Sequence, residues 1–413
     1  MAERFSINTM GHRGDGVAQT PNGPVFIPFT LPGETVEAEP AGERAAVLRI
    51  IASSAERILP FCPHFGTCGG CAIQHWRPDA YAAWKENLVR DALAQAGLGG
   101  SVAALVDAHG EGRRRAVFHA RRDTDSALHV GYAAARAHHI VPIENCPILA
   151  PGLTGALAAA RAVAALLSPL RKPLDLHFTA TGTGLDLDIR GSGALNTAQT
   201  TAVAKLATTH RLARITRHGE LVIQSAAPAL RMGKANIALP PGAFLQATAK
   251  GEEVLSELVL GLVAMHAPRA RQAADLFCGV GPFSLRLAEK FRVTAIDNHT
   301  SAIAALTAAV ASTRGLKPLT ATTRDLFRVP LADTELKSFD VVVFDPPRQG
   351  AEAQARALAA SKVPLVIGVS CNVATFARDA AILRWGGYEM QEVTPVDQFR
   401  HSAHVELVAA FKR

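Results

Sequence analysis

"QAADLFCGVGPFSLRLAEKFRVTAID", residues 272 to 297, decides the fold of the C-terminal half. An apolar run, a turn holding Gly279 and Gly281, a helix-like stretch and a second apolar run read as strand, tight turn, helix and strand. Asp275 lies near the end of the first run, and Asp297 ends the second, 22 residues later. Glycines let the backbone approach a ligand, and an acid closing the second strand can hold two ribose hydroxyls. Together with "FDPP" (Phe344 to Pro347) after a later apolar run, this suits a nucleoside cofactor that has no pyrophosphate. Cys278, inside the turn, reads as a small filler.

From about residue 245 the alternation continues through "FDVVVFDPPR", "PLVIGVSC", "TFARDAAILRWG" and "HVELVAAFKR", which predicts a doubly wound, mainly parallel sheet. Cys371 ends the strand that follows the Asp345 strand, on the edge where such sheets keep their chemistry. A thiolate there can attack a substrate held against the cofactor. His404 and Glu406 are expected to begin the last strand. Taken alone, a Glu entering a strand reads as a solvated end residue.

Residues 1–58 alternate apolar and polar positions around turn signals such as "HRGDG" and "PNGP", the pattern of a small antiparallel barrel. Residues 59–75 are too rich in Gly, Pro and Cys to form regular structure without an organiser. Apolar residues recur at helical spacing from Tyr81 to Ala96, and hairpins and Ala-rich helices follow. The expected division is 1–58 for the β-barrel, 59–240 for a β-rich central domain and 241–413 for the α/β domain.

At 413 residues the chain exceeds one ordinary domain, and 48% hydrophobic with 19% charged residues is a globular composition. No apolar run reaches the roughly 18 residues of a membrane span, and the N-terminus lacks the core of a signal peptide, so a cytoplasmic protein without a membrane partner is expected. A net charge of +7 points to an anionic partner or to solubility alone. The arginines Arg113, Arg114, Arg115, Arg121 and Arg122 could contact phosphates or form a solvated face.

Three of the six cysteines lie within ten residues, as Cys62-x5-Cys68-x2-Cys71, with Cys146 distant in "IENCPIL". In a reducing compartment such clustering points to metal or catalysis rather than disulfides. Four cysteines can hold zinc or an iron–sulfur cluster, and three close ones with a remote Cys-Pro fit a cubane cluster better than paired C-x-x-C units.

These motifs, in this order, resemble the RNA uracil-5 methyltransferases that use S-adenosyl-L-methionine and carry a [4Fe–4S] cluster. Residues 1–58 resemble a TRAM module, "FCPHFGTCGGC" with Cys146 the cluster motif, and "GAFLQAT" the cofactor segment; "DLFCGVGPFSL", "DPPRQG", "VSCNVATFARD" and "HVELV" follow in family order. "FLQAT" departs from the commoner Phe-Phe-Gln-x-Asn, and Asp297 stands where Glu is frequent. The resemblance implies a TRAM/OB-like barrel, a central domain with an iron–sulfur loop on Cys62, Cys68, Cys71 and Cys146, and a Rossmann-like class I methyltransferase domain. It also implies that Cys371 is the nucleophile and Glu406 the base, against the solvated-end reading. Gln246, Asp275, Phe277, Gly279, Gly281, Asp297, Asp325 and Asp345 would serve the cofactor or the flipped base, and Arg348 belongs to the catalytic motif. The implied partner is RNA, 23S rRNA before tRNA, acted on by a monomer. The rivals are an RNA cytosine-5 methyltransferase, which tends to carry a second cysteine where "DPPRQG" has none, a non-enzymatic RNA-binding protein, and a cluster-dependent radical enzyme.

Overall fold

The computed structural model describes all residues except 123–126, 138 and 171 with its three predecessors, 168–170. The turn of the arginine-rich hairpin, 123–126, lies outside the described residues. Three large sheets and a two-stranded hairpin organise the described residues. The first has six strands between Glu3 and Ala52, packed around Phe5, Ile7, Ala18, Val25, Ile27 and Val36. The Ile7–Asn8 segment donates backbone bonds both to Glu34 and to Val17, and so links the two edges of this sheet. The second sheet has seven strands between Arg115 and Gln224. Against it pack the Ala-rich helix Ala156–Leu167 and the helix Thr197–Thr209, whose start is fixed by reciprocal bonds between Asn196 and Gln199.

The third sheet positions the chemistry. Its main strands are β1 (Gln272–Leu276), β2 (Arg292–Asp297), β3 (Leu319–Thr323), β4 (Val341–Phe344), β5 (Leu365–Ser370), β6 (Thr394–Asp397) and β7 (Glu406–Lys412), in the order β3-β2-β1-β4-β5-β7-β6. β1 to β5 are parallel, and β7 is inserted antiparallel between β5 and β6. All residues of β4 and β5 are buried, as unbroken apolar runs in a two-faced sheet should be. Helices cover both faces: α1 (Pro78–Gln95) and α5 (Val373–Trp385) on one, α2 (Ala249–His266) and α3 (Pro282–Leu287) on the other. A further helix, α4 (Thr300–Ser312), packs Ile303 and Leu306 with Leu285 and Ala295.

The segment 59–240 does not pack as one body. Val89 and Leu93 of α1, and Leu98 after it, enter the core of the third sheet with Leu276 and Phe344, and Val106–Asp107 pairs parallel with β6. The hairpin Ala229–Ala238 likewise buries Met232, Ala235 and Ile237 against Leu285 and Leu306. Neighbours in sequence favour the middle domain, but the apolar faces of these elements match the larger core. Residues 59–75 form no helix or strand, as expected from their composition. Among the described residues no helix is long and apolar enough to cross a membrane.

Candidate active site

A cavity of about 450 Å³ opens at the carboxyl ends of β1, β2, β4 and β5, roofed by Phe244, Leu245 and Gln246. Of the cofactor residues expected from sequence, Gln246, Phe277, Gly279, Asp297 and Asp345 line it. Gly279 has φ 54, and a Cβ there would meet nothing within 4 Å, so the left-handed backbone rather than crowding favours glycine. Its N–H donates to Asp297 Oδ2 at 2.9 Å, while Asp297 Oδ1 accepts from His299 N at 2.8 Å. These bonds hold a buried carboxylate at the end of β2, where a ribose can meet it. Phe277, itself at φ 62, tilts against Phe327 with ring centroids 5.2 Å apart, an apolar wall suited to a flat base. The donor set fits a nucleoside cofactor.

Asp275, Gly281 and Asp325 do not line the cavity, and each has another task. Asp275 is fully buried and accepts from Ser284 Oγ at 2.5 Å; its Oδ1 has no partner among the described residues, and burial raises it to about 7. Gly281 caps α3 at φ 87, and a Cβ would meet Leu306 Cδ1 at 2.6 Å, so its role is close packing on α4. Asp325 accepts from Phe327 N at 3.0 Å, closing the turn that presents Phe327.

Cys371, Glu406, Asp345 and Arg348 line the same cavity. Glu406 begins β7, but because β7 lies between β5 and β6 its first residue is interior and only 3% exposed. Burial pushes it up to about 7, against Gln398 and Arg348, which favour its charge. Asp345 is raised well above the usual carboxylate range by burial and by Glu406. Burial also pushes the Cys371 thiol up to about 12, with Glu406 and Asp345 adding to the rise and Arg348 opposing it. His404 stands outside β7 and outside the cavity, exposed, with Nε2 3.4 Å from an Arg348 nitrogen, so the expectation that it begins the last strand does not hold.

Gln398 is the residue that sequence reasoning missed. Ala247 N–H donates to its Oε1 at 2.8 Å, which fixes the amide, so its Nε2 donates to Glu406 Oε1 at 3.0 Å and to Gln246 Oε1 at 2.6 Å. Gln246 Nε2 in turn donates to Asp345 Oδ2 at 3.1 Å. Glu406 Oε2 is left buried without a partner among the described residues. Its only sequence signal is the position, eight residues before Glu406 at the end of a strand neighbouring β7.

A second cavity, of about 420 Å³, is lined by Cys62, Cys68, Cys71 and Cys146 together with Arg113, Arg115, Tyr132 and Arg190. It shares Phe244, Leu245 and Phe399 with the first. Burial raises the Cys68 and Cys146 thiols and pushes Cys71 up to about 11, and these thiols lie close enough to raise one another further. Gly69 lets the loop lie on the neighbouring strand edge: a Cβ would meet Ala133 O at 2.9 Å, and its N–H donates to that oxygen. Among the described residues no three His, Cys, Asp or Glu side chains converge as a site for a single metal ion. Four thiols are spread around one cavity, which His64, His177 and Asp188 also line. Thiols are the donors that an iron–sulfur cluster takes.

The arginines divide. Arg114 is buried, donating to Glu252 Oε2 at 2.6 Å and to Gln246 O at 3.0 Å, so it joins the domains and is not available to phosphate. Arg115 donates to Leu245 O and stands 5.8 Å from the Phe244 ring, on the cavity wall. Arg122 reaches Ala165 O.

Residues 238–413 match the protein family described as tRNA (uracil-5-)-methyltransferase. Over its full length the chain is similar to a protein of Brucella suis named as an RNA methyltransferase, with 46% identity covering 99% of this chain and 98% of that protein. It is also similar to the 23S rRNA (uracil(1939)-C(5))-methyltransferase of Chromohalobacter salexigens, with 33% identity covering 100% and 90%. Its fold matches the solved Pyrococcus abyssi tRNA (uracil-54, C5)-methyltransferase, in complex with S-adenosyl-L-homocysteine, with a TM-score of 0.76 over 99% of each chain at 21% identity.

Proposed function

This chain belongs to the RNA uracil-5-methyltransferase family, and from that premise we propose that it methylates C5 of a uridine in 23S rRNA through a covalent bond between Cys371 and C6 of the base. The chain is an S-adenosyl-L-methionine-dependent RNA methyltransferase, and when bound the cofactor supplies an electrophilic methyl group. The observation that carries the reading is the convergence of Cys371, Glu406, Asp345 and Arg348 on the cavity that also presents Gly279 and Asp297.

C5 of uracil is a weak nucleophile. Addition of the Cys371 sulfur to C6 turns the base into an enolate whose C5 is reactive, and thiolate suits the task because it both attacks and departs well. With the thiol held near 12, attack requires removal of its proton, and of the two carboxylates that raise it Asp345 takes that proton, which leaves Glu406 unprotonated for the later step. Arg348 lowers the cost of the charge as it forms. After methylation, Glu406 Oε2 takes the C5 proton; the C–H electron pair restores the C5–C6 double bond, and the sulfur leaves with the pair of the broken C6–S bond. The target base must leave its stack to reach Cys371, which favours a structured RNA loop.

The reading extends to a [4Fe–4S] cluster held by Cys62, Cys68, Cys71 and Cys146, supported by four thiols around one cavity and a loop without regular structure. Bound, the cluster would cross-link the loop to the Cys146 segment. Residues 1–58 are proposed as a TRAM-like module that binds RNA phosphates, in a monomeric cytoplasmic enzyme. The test is transfer of labelled methyl from the cofactor to unmodified 23S rRNA and tRNA, followed by nucleoside analysis. 5-Methyluridine in 23S rRNA is expected. Label in tRNA redirects the substrate, and label in cytidine or in nothing overturns the proposal.

A further inference from the structure

Glu406 is buried at the start of β7 and Asp345 half-buried just after β4, with β5 between the two strands, a placement that costs free energy unless both carboxylates are hydrogen-bonded. Between them lies a chain of two side-chain amides whose two ends each donate to a carboxylate: Gln398 donates to Glu406 and to Gln246, and Gln246 donates to Asp345. The direction is fixed at one point. Ala247 N–H occupies Gln398 Oε1, so both Nε2 hydrogens must be donated, one to Glu406 and one to Gln246. Gln398 is itself fully buried and does not line the cavity, so it can act only through its neighbours. Behind it, the loop that follows Asp397 is held by Lys85, whose Nζ donates to Asp397 Oδ1 at 2.6 Å and His404 O at 2.7 Å.

We propose that Gln398 is a positioning residue for the proton-removal step: it binds one oxygen of Glu406, aims the other, Oε2, at the cavity, and keeps the carboxylate an acceptor beside Asp345. The inference rests on the reading of Glu406 as the base. The charged and titratable groups that face Glu406 are Asp345 after β4, Arg348 in the following loop and Cys371 after β5. None of them replaces the donor that Gln398 supplies to Oε1.

Without that donor the carboxylate is harder to ionise, so proton removal requires a higher pH. Two variants test this. Gln398→Met removes both donors and the acceptor for Ala247 N–H. Gln398→Glu keeps the size and that acceptor, and serves if the first variant folds poorly. With the holoenzyme and an RNA substrate, the covalent RNA–protein adduct is followed on denaturing gels across pH. In both variants the methylated adduct should form at the parent rate but decay more slowly. The midpoint of the decay rate should lie about one pH unit higher, roughly a tenfold slowing at pH 6. Slow turnover without adduct, or an unshifted midpoint in a folded variant, would overturn the role of Gln398. Absence of a trapped adduct in Glu406→Gln would instead overturn the base assignment on which it rests.

Discussion

The two cavities share a wall of Phe244, Leu245 and Phe399, yet they are held in shape by opposite means. The carboxylate-lined cavity sits on the ends of β1, β2, β4 and β5, strands whose side chains are almost wholly buried, so its groups are fixed by a core that exists before any ligand arrives. The thiol-lined cavity takes Cys62, Cys68 and Cys71 from a loop without helix or strand and Cys146 from a distant segment. Its apolar support is a small cluster in which Ile73 packs with Leu31, Tyr81 and Trp84, together with Phe65 against Phe29 and His75. A preformed site can be emptied chemically without disturbing the fold. A site built from loops is expected to depend on what it binds.

The largest contrast is between two cysteines. Cys371→Ala should lower turnover by on the order of 10³-fold or more and abolish any RNA adduct, because the other thiol on the cavity wall, Cys278, is buried in the turn after β1. Thermal denaturation should stay within about 2 °C of the parent, since a half-buried thiol is lost and little packing with it. Cys71→Ser should show the reverse signature. Iron and acid-labile sulfide, measured after anaerobic purification, should fall from about four of each per chain to near zero, and amide exchange across residues 59–75 should accelerate. Stoichiometric zinc without sulfide in the parent, or an unchanged loop in the variant, would erase the contrast.

The next effect concerns only the carboxylate side. Burial holds the Glu406 pKa near 7, so the ionised base is scarce below that pH and abundant above it. Decay of the covalent adduct should therefore rise about tenfold between pH 6 and pH 8 and level off, which single-turnover kinetics can measure. For stability the sign is opposite: a carboxyl whose folded pKa is raised binds its proton more tightly when folded. Its contribution is therefore present below about 4.5 and lost as pH rises through 7.

The smallest effect probes the shared wall. Arg115→Ala should weaken RNA binding a few-fold and reduce the slope of log affinity against log salt by about one, the signature of a single phosphate contact. Arg114→Ala, one residue away, should leave that slope unchanged and instead lower the melting temperature, because it takes from the buried Glu252 one of its two guanidinium partners and leaves Arg286 alone. Equal salt slopes for the two variants would show that the wall does not meet phosphate.

The sequence made the third sheet legible because its strands are buried on both faces and read as unbroken apolar runs, and because Asp297 ends a strand and Gly279, Asp345 and Cys371 stand just beyond strand ends. Other features depend on packing between distant segments and leave no local sign. α1 reads as an amphipathic helix, but nothing in its periodicity says that Val89 and Leu93 enter the core with Leu276 rather than the middle domain. Glu406 reads as a solvated end residue until the topology puts β7 inside the sheet. Gln398 matters through a bond to Ala247 N–H, 151 residues away in sequence. Asp275, Gly281 and Asp325 show the converse: motif positions whose side chains or missing side chain serve the turn and its packing rather than the cavity.

The account stands most directly on the order of events at Cys371 and Glu406, and Glu406→Gln separates them. The variant should add to RNA and accept the methyl group but fail to eliminate. Incubated with cofactor and RNA substrate, it should accumulate a methylated RNA–protein adduct that survives denaturing electrophoresis, with label from both the RNA and the methyl group in one band. Turnover at the parent rate with no trapped band would mean that the base lies elsewhere, and would contradict the account.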